Sequence, residues 1–225
     1  MSSKWNQLRK QFREQAATID KIDEEVYDQY GADPLEPIIG MGAPDTRLCL
    51  FGRDPGRHEV EHRMPFIGAG GQKIRRELYQ LRHGCEMPHF EASLEIGDTV
   101  FWANTVPYKP IGNKAWSMAV KKRFQPLMAQ VLLEFWNGTQ ILTLGREAFL
   151  WFGINQSKAE RDRLMAFWNQ PDRFENSISV RCSHEGAERE FEILPLPHPS
   201  PLNATWYHAF PELLRERLRQ VGYSS

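Results

Sequence analysis

The sequence predicts an α/β protein of three layers, α/β/α, around a central, mainly parallel sheet of about four strands. Three observations carry that expectation. Short β-favouring runs alternate with longer helical patterns, which argues for a parallel sheet covered on both faces. The 225 residues, 41% hydrophobic and 25% charged, suffice for one α/β domain with a sizeable core and are too few for two comfortable ones. The run His198-Pro199-Ser200-Pro201-Leu202-Asn203 closes the last strand pattern, because each proline fixes φ and removes a backbone donor.

The elements follow in order. Trp5, Leu8, Phe12 and Ala16 recur at helical spacing and predict an amphipathic N-terminal helix. The polar stretch 20–30 reads as a second helix or turn, and 40–45 as a loop before a first strand over 47–51. A glycine-rich start opens a helix over 70–81, with Lys73, Arg75 and Arg76 in its body. The second strand is expected over 98–104, a long helix over 117–135 and a third short strand over 140–144. Helices over 146–152 and 158–168, an edge strand over 177–182, the last core strand over 191–197 and a closing helix over 211–221 complete the chain. No repeat, low-complexity stretch or linker interrupts it, so residues 1–225 are expected to form one domain, with 1–40 a helical segment packed on it.

Composition narrows the class further. No apolar run approaches the roughly 20 residues that span a bilayer. The start Met1-Ser2-Ser3-Lys4-Trp5-Asn6 has no apolar signal core, which predicts an intracellular, cytoplasmic protein. Cys49, Cys85 and Cys182 lie far apart, which fits free thiols in a reducing compartment. The formal net charge of −1 supplies no global pull on phosphates, so any affinity for nucleic acid must come from a local basic patch.

The loop from His198 to Asn203 presents an imidazole, a hydroxyl, an apolar tip and an amide at the C-terminal edge of a parallel strand, where open α/β sheets place their ligand sites. Two other segments end strands in the same way. One is Leu48-Cys49-Leu50-Phe51-Gly52-Arg53-Asp54-Pro55-Gly56, continuing to Pro65-Phe66-Ile67-Gly68-Ala69-Gly70-Gly71. The other is Val100-Phe101-Trp102-Ala103-Asn104-Thr105-Val106-Pro107-Tyr108-Lys109-Pro110. With all three in view, the chain resembles the uracil-DNA glycosylase superfamily, which has a Gly-x-x-Pro loop after its first core strand, an Asn ending a middle strand and His-Pro-Ser-Pro-Leu after the last.

The resemblance implies a uracil-DNA glycosylase-like fold and a monofunctional DNA glycosylase that flips a damaged pyrimidine, uracil above all, and hydrolyses its N-glycosidic bond in base excision repair. Such chemistry needs a carboxylate near the sugar and a donor aimed at the departing base. Asp54 matches the water-orienting aspartate of the branch that reads Gly-Gln-Asp-Pro-Tyr-His, although Arg53 replaces the glutamine and Gly56 the tyrosine. Gly56, Pro65, Phe66 and Gly68 instead match a branch that reads Gly-Glu-Ala-Pro-Gly and Pro-Phe-Val-Gly, so the loop is a hybrid. Asp54 and His198 are therefore the expected catalytic pair, and Gly52, Arg53, Pro55, Gly56, Phe66 and Asn104 the substrate-binding set. Gly68, Gly70, Gly71, Lys73, Ser200, the wedge Leu202 and Asn203 are expected on the DNA. Arg75, Arg76, Lys109 and Lys114 are expected to extend the basic patch.

Each residue also has a plainer reading. Asp54 can cap its loop or pair with Arg53, His198 can bond a neighbouring backbone group, Asn104 can serve as a turn residue and Phe66 can simply pack. The segment His58-Glu59-Val60-Glu61-His62 satisfies the zinc-protease pattern His-Glu-x-x-His. Gly56 and Pro65 confine any helix there to about two turns, and no distinctive third ligand follows. Three scattered cysteines cannot supply the four that hold an iron–sulfur cluster in some relatives. The expectation is a monomer with no metal and no cofactor, whose partner is uracil-containing DNA, single- or double-stranded, and not a membrane. The alternatives are a glycosylase of broader specificity and a nucleic-acid-binding relative without catalysis, in which Arg53 ties up Asp54.

Overall fold

The computed structural model describes residues 3–40, 42–200 and 203–223. Helices α1 (Ser3–Ala16) and α2 (Glu24–Gln29) precede strand β1 (Leu48–Gly52). Helices α3 (Arg57–His62), α4 (Ala69–His83) and α5 (Phe90–Gly97) lead to β2 (Phe101–Asn104). A 3₁₀ turn at Ile111–Asn113 and helix α6 (Met118–Glu134) lead to β3 (Gln140–Leu144), which is followed by α7 (Arg146–Trp151) and α8 (Lys158–Trp168). The hairpin β4 (Ile178–His184) and β5 (Ala187–Leu196), then α9 (Ala204–Tyr207) and α10 (Phe210–Gln220), complete the described chain.

The sheet has five strands in the order β2-β1-β3-β5-β4. β2, β1, β3 and β5 run parallel, and β4 pairs antiparallel with β5 at one edge. The four parallel strands are those the sequence marks, and the fifth is the edge strand. Side chains of β1 alternate between two apolar layers. Cys49 and Phe51 join the layer that holds α1, α6, α7 and α8, whereas Leu48 and Leu50 join that of α4, α5 and α10. Burial on both faces explains why these strands read as apolar runs. The α1 stripe of Trp5, Leu8, Phe12 and Ala16 is wholly buried.

Three differences from the sequence reading have local causes. β5 starts at Ala187 because Glu185 and Gly186, with φ of 46° and 86°, form a two-residue hairpin turn that lengthens both strands. β2 starts at Phe101 because Asp98 is spent as the C-cap of α5. Helix α5 itself is unforeseen. Its buried residues are Ala92, Ser93, Ile96 and Gly97, of which only Ile96 is a large apolar side chain, too few to write an apolar stripe. Gly97 has no room for a side chain because Arg75 of α4 lies against it: a Cβ there would fall 2.1 Å from its Nη1.

Candidate active site

β1 lies between β2 and β3, so successive connections leave it on opposite sides of the sheet. Such a reversal opens a crevice at the C-terminal strand ends. β1 ends at Gly52, in register with Asn104, the last residue of β2. β3 and β5 end together at Leu144 and Leu196, and the Gly145 N–H donates to the Leu196 carbonyl at 2.8 Å.

At the β1–β2 end, Gly52, Phe66 and Asn104 converge. A Cβ on Gly52 would meet the Phe66 ring at 2.5 Å and lie 3.7 Å from Asn104 Oδ1, so no side chain fits at residue 52. Phe66 has a φ of 56° and packs its ring at 5.0 Å from that of Trp102. That left-handed conformation is uncommon for a bulky residue and must be held from outside. Arg75 does so by donating from Nε to the Phe66 carbonyl at 2.9 Å, while Gly71 leaves room for the Phe66 backbone. Asn104 is 4% exposed, and its Oδ1 has no hydrogen-bond partner among the described residues. Such a group is costly to bury unless something accepts the role of partner.

Asp54 lies one loop away, its side chain 1% exposed. The Thr105 hydroxyl lies 2.8 Å from the Arg53 carbonyl and 3.3 Å from Oδ1, so its one proton is shared between two acceptors, and Arg53 Nε stands 3.0 Å from Oδ2 without pointing its N–H at it. Oδ2 is thus ion-paired but not hydrogen-bonded. Burial raises the carboxyl to about 7, against the opposing pull of Arg53, Lys121 and the Thr105 hydrogen bond. Thr105 knits the two strand ends together: its N–H reaches the carbonyls of Gly52 and Arg53, both at 2.9 Å.

His198 enters from the β5 end. The Ser200 N–H donates to Nδ1 at 3.3 Å, which leaves the proton of a neutral ring on Nε2. Burial, and then repulsion from Arg53, lower its pKa to about 4. Asn203 Nδ2 donates to the His198 carbonyl at 3.1 Å and steadies the loop. The imidazole approaches Gly145, where φ is 90° and a Cβ would lie 3.0 Å from His198 Cβ. A side chain at residue 145 would be strained there and would crowd the imidazole.

The sequence matches the Uracil DNA glycosylase superfamily over residues 39–222, a span that holds every strand and all three loops. The chain belongs to the uracil DNA glycosylase superfamily. Membership supports a DNA glycosylase-type hydrolase with DNA as its substrate. Comparison with curated proteins gives no match.

Within this superfamily frame the remaining residues fall into place unevenly. Pro55 is buried, and Gly56 donates its N–H to Glu59 Oε2 at 2.9 Å. Gly68 donates to Glu59 Oε1, also at 2.9 Å. Glu59 therefore staples the first loop to the Pro65–Phe66 loop with both oxygens, and the amide of Gly68 is already in use. In the His-Glu-x-x-His segment, His58 pairs with Glu61 and the His62 ring packs on Phe90 at 5.2 Å. Gly70, near the start of α4, packs against Pro199, which a Cβ would approach to 3.2 Å. Ser200 follows on the same loop, and Leu202 lies outside the described residues. The structure corrects the basic patch. Arg75 is 1% exposed, bonded to carbonyls of Pro65, Phe66 and Ser93 and stacked over Trp102. Lys109 is 3% exposed and paired with Asp23 at 2.6 Å. Lys73 is partly buried, donating to the Tyr207 carbonyl at 2.7 Å above that ring, whereas Arg76 and Lys114 are exposed.

Sequence reading missed Thr105, the stapling role of Glu59 and the Gly145 approach. Thr105 follows Asn104 directly, so its hydroxyl beside a strand-end amide was the available signal. Nothing local marks Gly145, because its partner His198 is remote in sequence.

Proposed function

We propose that this protein flips a nucleotide of DNA out of the stack and hydrolyses the N-glycosidic bond of a damaged pyrimidine, uracil above all, as a monofunctional enzyme of base excision repair. One observation carries the reading. Two buried acceptors without hydrogen-bond partners, Asp54 Oδ2 and Asn104 Oδ1, stand at the ends of adjacent strands. His198, at the end of β5 and close enough to Arg53 to feel its charge, holds its donor on Nε2.

In this reading the bond between C1′ and the base breaks and its electron pair leaves with the base. His198 donates a hydrogen bond from Nε2 to the base carbonyl that gains negative charge, and keeps its proton. Its neutrality above about pH 4 suits that role. The sugar becomes cation-like. Asp54, ionised, stabilises it, orients a water for attack at C1′ and accepts the proton that the water loses. Asn104 Oδ1 accepts from the base N–H, and the Phe66 ring stacks on the base. Leu202 fills the vacated stack, and the first turn of α4 with Ser200 and Asn203 lines the backbone of the strand.

A broader specificity is a second reading, favoured by Gly56. Where one branch of the superfamily carries a tyrosine that excludes the thymine methyl, this chain has no side chain. A Cβ there would meet Glu59 Oε2 at 2.8 Å. Oligonucleotides carrying one uracil or one thymine mismatch, single- and double-stranded, test both readings by the abasic sites they yield. Uracil release from both substrates supports the first reading, and added thymine release supports the second. Release of neither base from any substrate refutes them together.

A further inference from the structure

Arg53 stands where one branch of the superfamily has glutamine and the other glutamate, next to the carboxylate on which the proposed chemistry depends. Its guanidinium has two anchors. Nη2 donates to the Asn113 carbonyl at 2.8 Å, in the 3₁₀ turn beyond β2, and Nε lies 3.0 Å from Asp54 Oδ2. The first anchor fixes where the positive charge sits. The second brings that charge against Asp54 with the N–H angled away from Oδ2, and a carboxylate oxygen so placed can still accept from a further partner.

We propose that Arg53 is a positioning residue for Asp54: pinned to Asn113, its guanidinium steadies the carboxylate charge and leaves Oδ2 free to bind water, rather than blocking it. The groups facing Asp54 from each side support that assignment. Thr105, from the end of β2, offers a neutral hydroxyl to Oδ1. Lys121, from α6, also favours the ionised carboxyl, but its charge is shared with the partly exposed Glu147 of α7 in an ion pair. Arg53 pairs with no other carboxylate among the described residues, so its charge is the one that faces Asp54 undivided. The same charge opposes protonation of His198. One cation thereby favours the working form of both groups, carboxylate on one side and neutral imidazole on the other.

The activity arm of this inference rests on the glycosylase reading, whereas its spectroscopic arm does not. The test compares wild type with Arg53→Gln and Arg53→Lys. In the free protein, the Asp54 carboxyl carbon, followed by NMR against pH, should titrate near 7 in wild type. Its midpoint should rise by about one pH unit in Arg53→Gln and return most of the way in Arg53→Lys. The kcat/KM for uracil release should fall about fivefold at pH 7 in Arg53→Gln, and by less than about twofold at pH 9, where both carboxyls are ionised. An unmoved midpoint, with activity lost equally at every pH, would overturn the assignment in favour of a purely structural arginine. Faster release by Arg53→Gln would overturn it in favour of a blocking arginine. A midpoint that moves as stated in a protein that releases no base upholds Arg53 and refutes the glycosylase reading instead.

Discussion

Two carboxylates five positions apart, Asp54 in the loop after β1 and Glu59 in the short helix α3, have opposite surroundings. Glu59 accepts a backbone N–H on each oxygen, from Gly56 and Gly68, and so joins the two loops on either side of α3. Asp54 is more deeply buried, yet one of its oxygens has no hydrogen bond. A carboxylate whose lone pairs are used by the chain holds structure together. One that is desolvated and left short of partners makes the fold less stable than it could be, and a substrate or water can supply what is missing. On the proposed function, the contrast gives Glu59 a place in the frame and Asp54 one in the chemistry, with Asn104 Oδ1 a second unsatisfied acceptor on the same strand ends.

The largest effect that sharpens this contrast is on rate. Asp54→Asn should lower uracil release by about 10²–10⁴-fold in single-turnover assays, the usual range for a positioned acid–base group, while DNA binding is retained. Next is specificity. Asn104→Asp replaces a donor by an acceptor, so uracil release should fall by about 10- to 100-fold, and cytosine, with its amino group, should be favoured relative to it. Competition between uracil- and cytosine-containing strands measures that ratio. An unaltered preference would remove Asn104 from base reading.

Glu59→Gln should act on the frame. It keeps the shape but loses charge-assisted bonding to two amides, at about 1.5–3 kcal/mol for a hydrogen bond to a charged group. Chemical denaturation should show that loss, with a smaller effect on the rate at saturation than Asp54→Asn produces. The last effect is on stability against pH. The Asp54 carboxyl is raised in the folded protein from 3.8 to about 7. Its contribution to stability is fully present below about 4 and is lost as pH rises through about 7. Asp54→Asn should therefore match wild type at low pH and be the more stable of the two at pH 8. Equal stability at both would show that the carboxyl is not raised.

Regular periodicity made most of the frame legible. The stripe of Trp5, Leu8, Phe12 and Ala16 and the strand at Gln140–Leu144 both fall where the sequence places them. So do the loops after β1, β2 and β5, because each strand end is written in glycine, proline or asparagine. What stayed hidden depends on contacts between remote residues. Arg75 reads as a solvated helix cation, yet it turns inward under Trp102 and holds the Phe66 backbone. Lys109 follows Asn104 closely, but its charge is taken up by Asp23, far back in the chain. Spacing alone cannot tell a cation that meets phosphate from one that meets a carbonyl. Nor can it tell Asp54 from Glu59, since each is an acidic residue in the segment between Gly52 and Pro65.

The most direct test of the central claim, that the undersatisfied carboxylate is the chemical one, is the pH profile of kcat/KM for uracil release, taken for wild type and Asp54→Asn together. Wild type should show a rising limb near 7, set by the free protein's Asp54. His198 should add no limb of its own above about 4. The residual rate of Asp54→Asn should be flat across that range. A rising limb that survives in Asp54→Asn would contradict the account and give the chemistry to another acid.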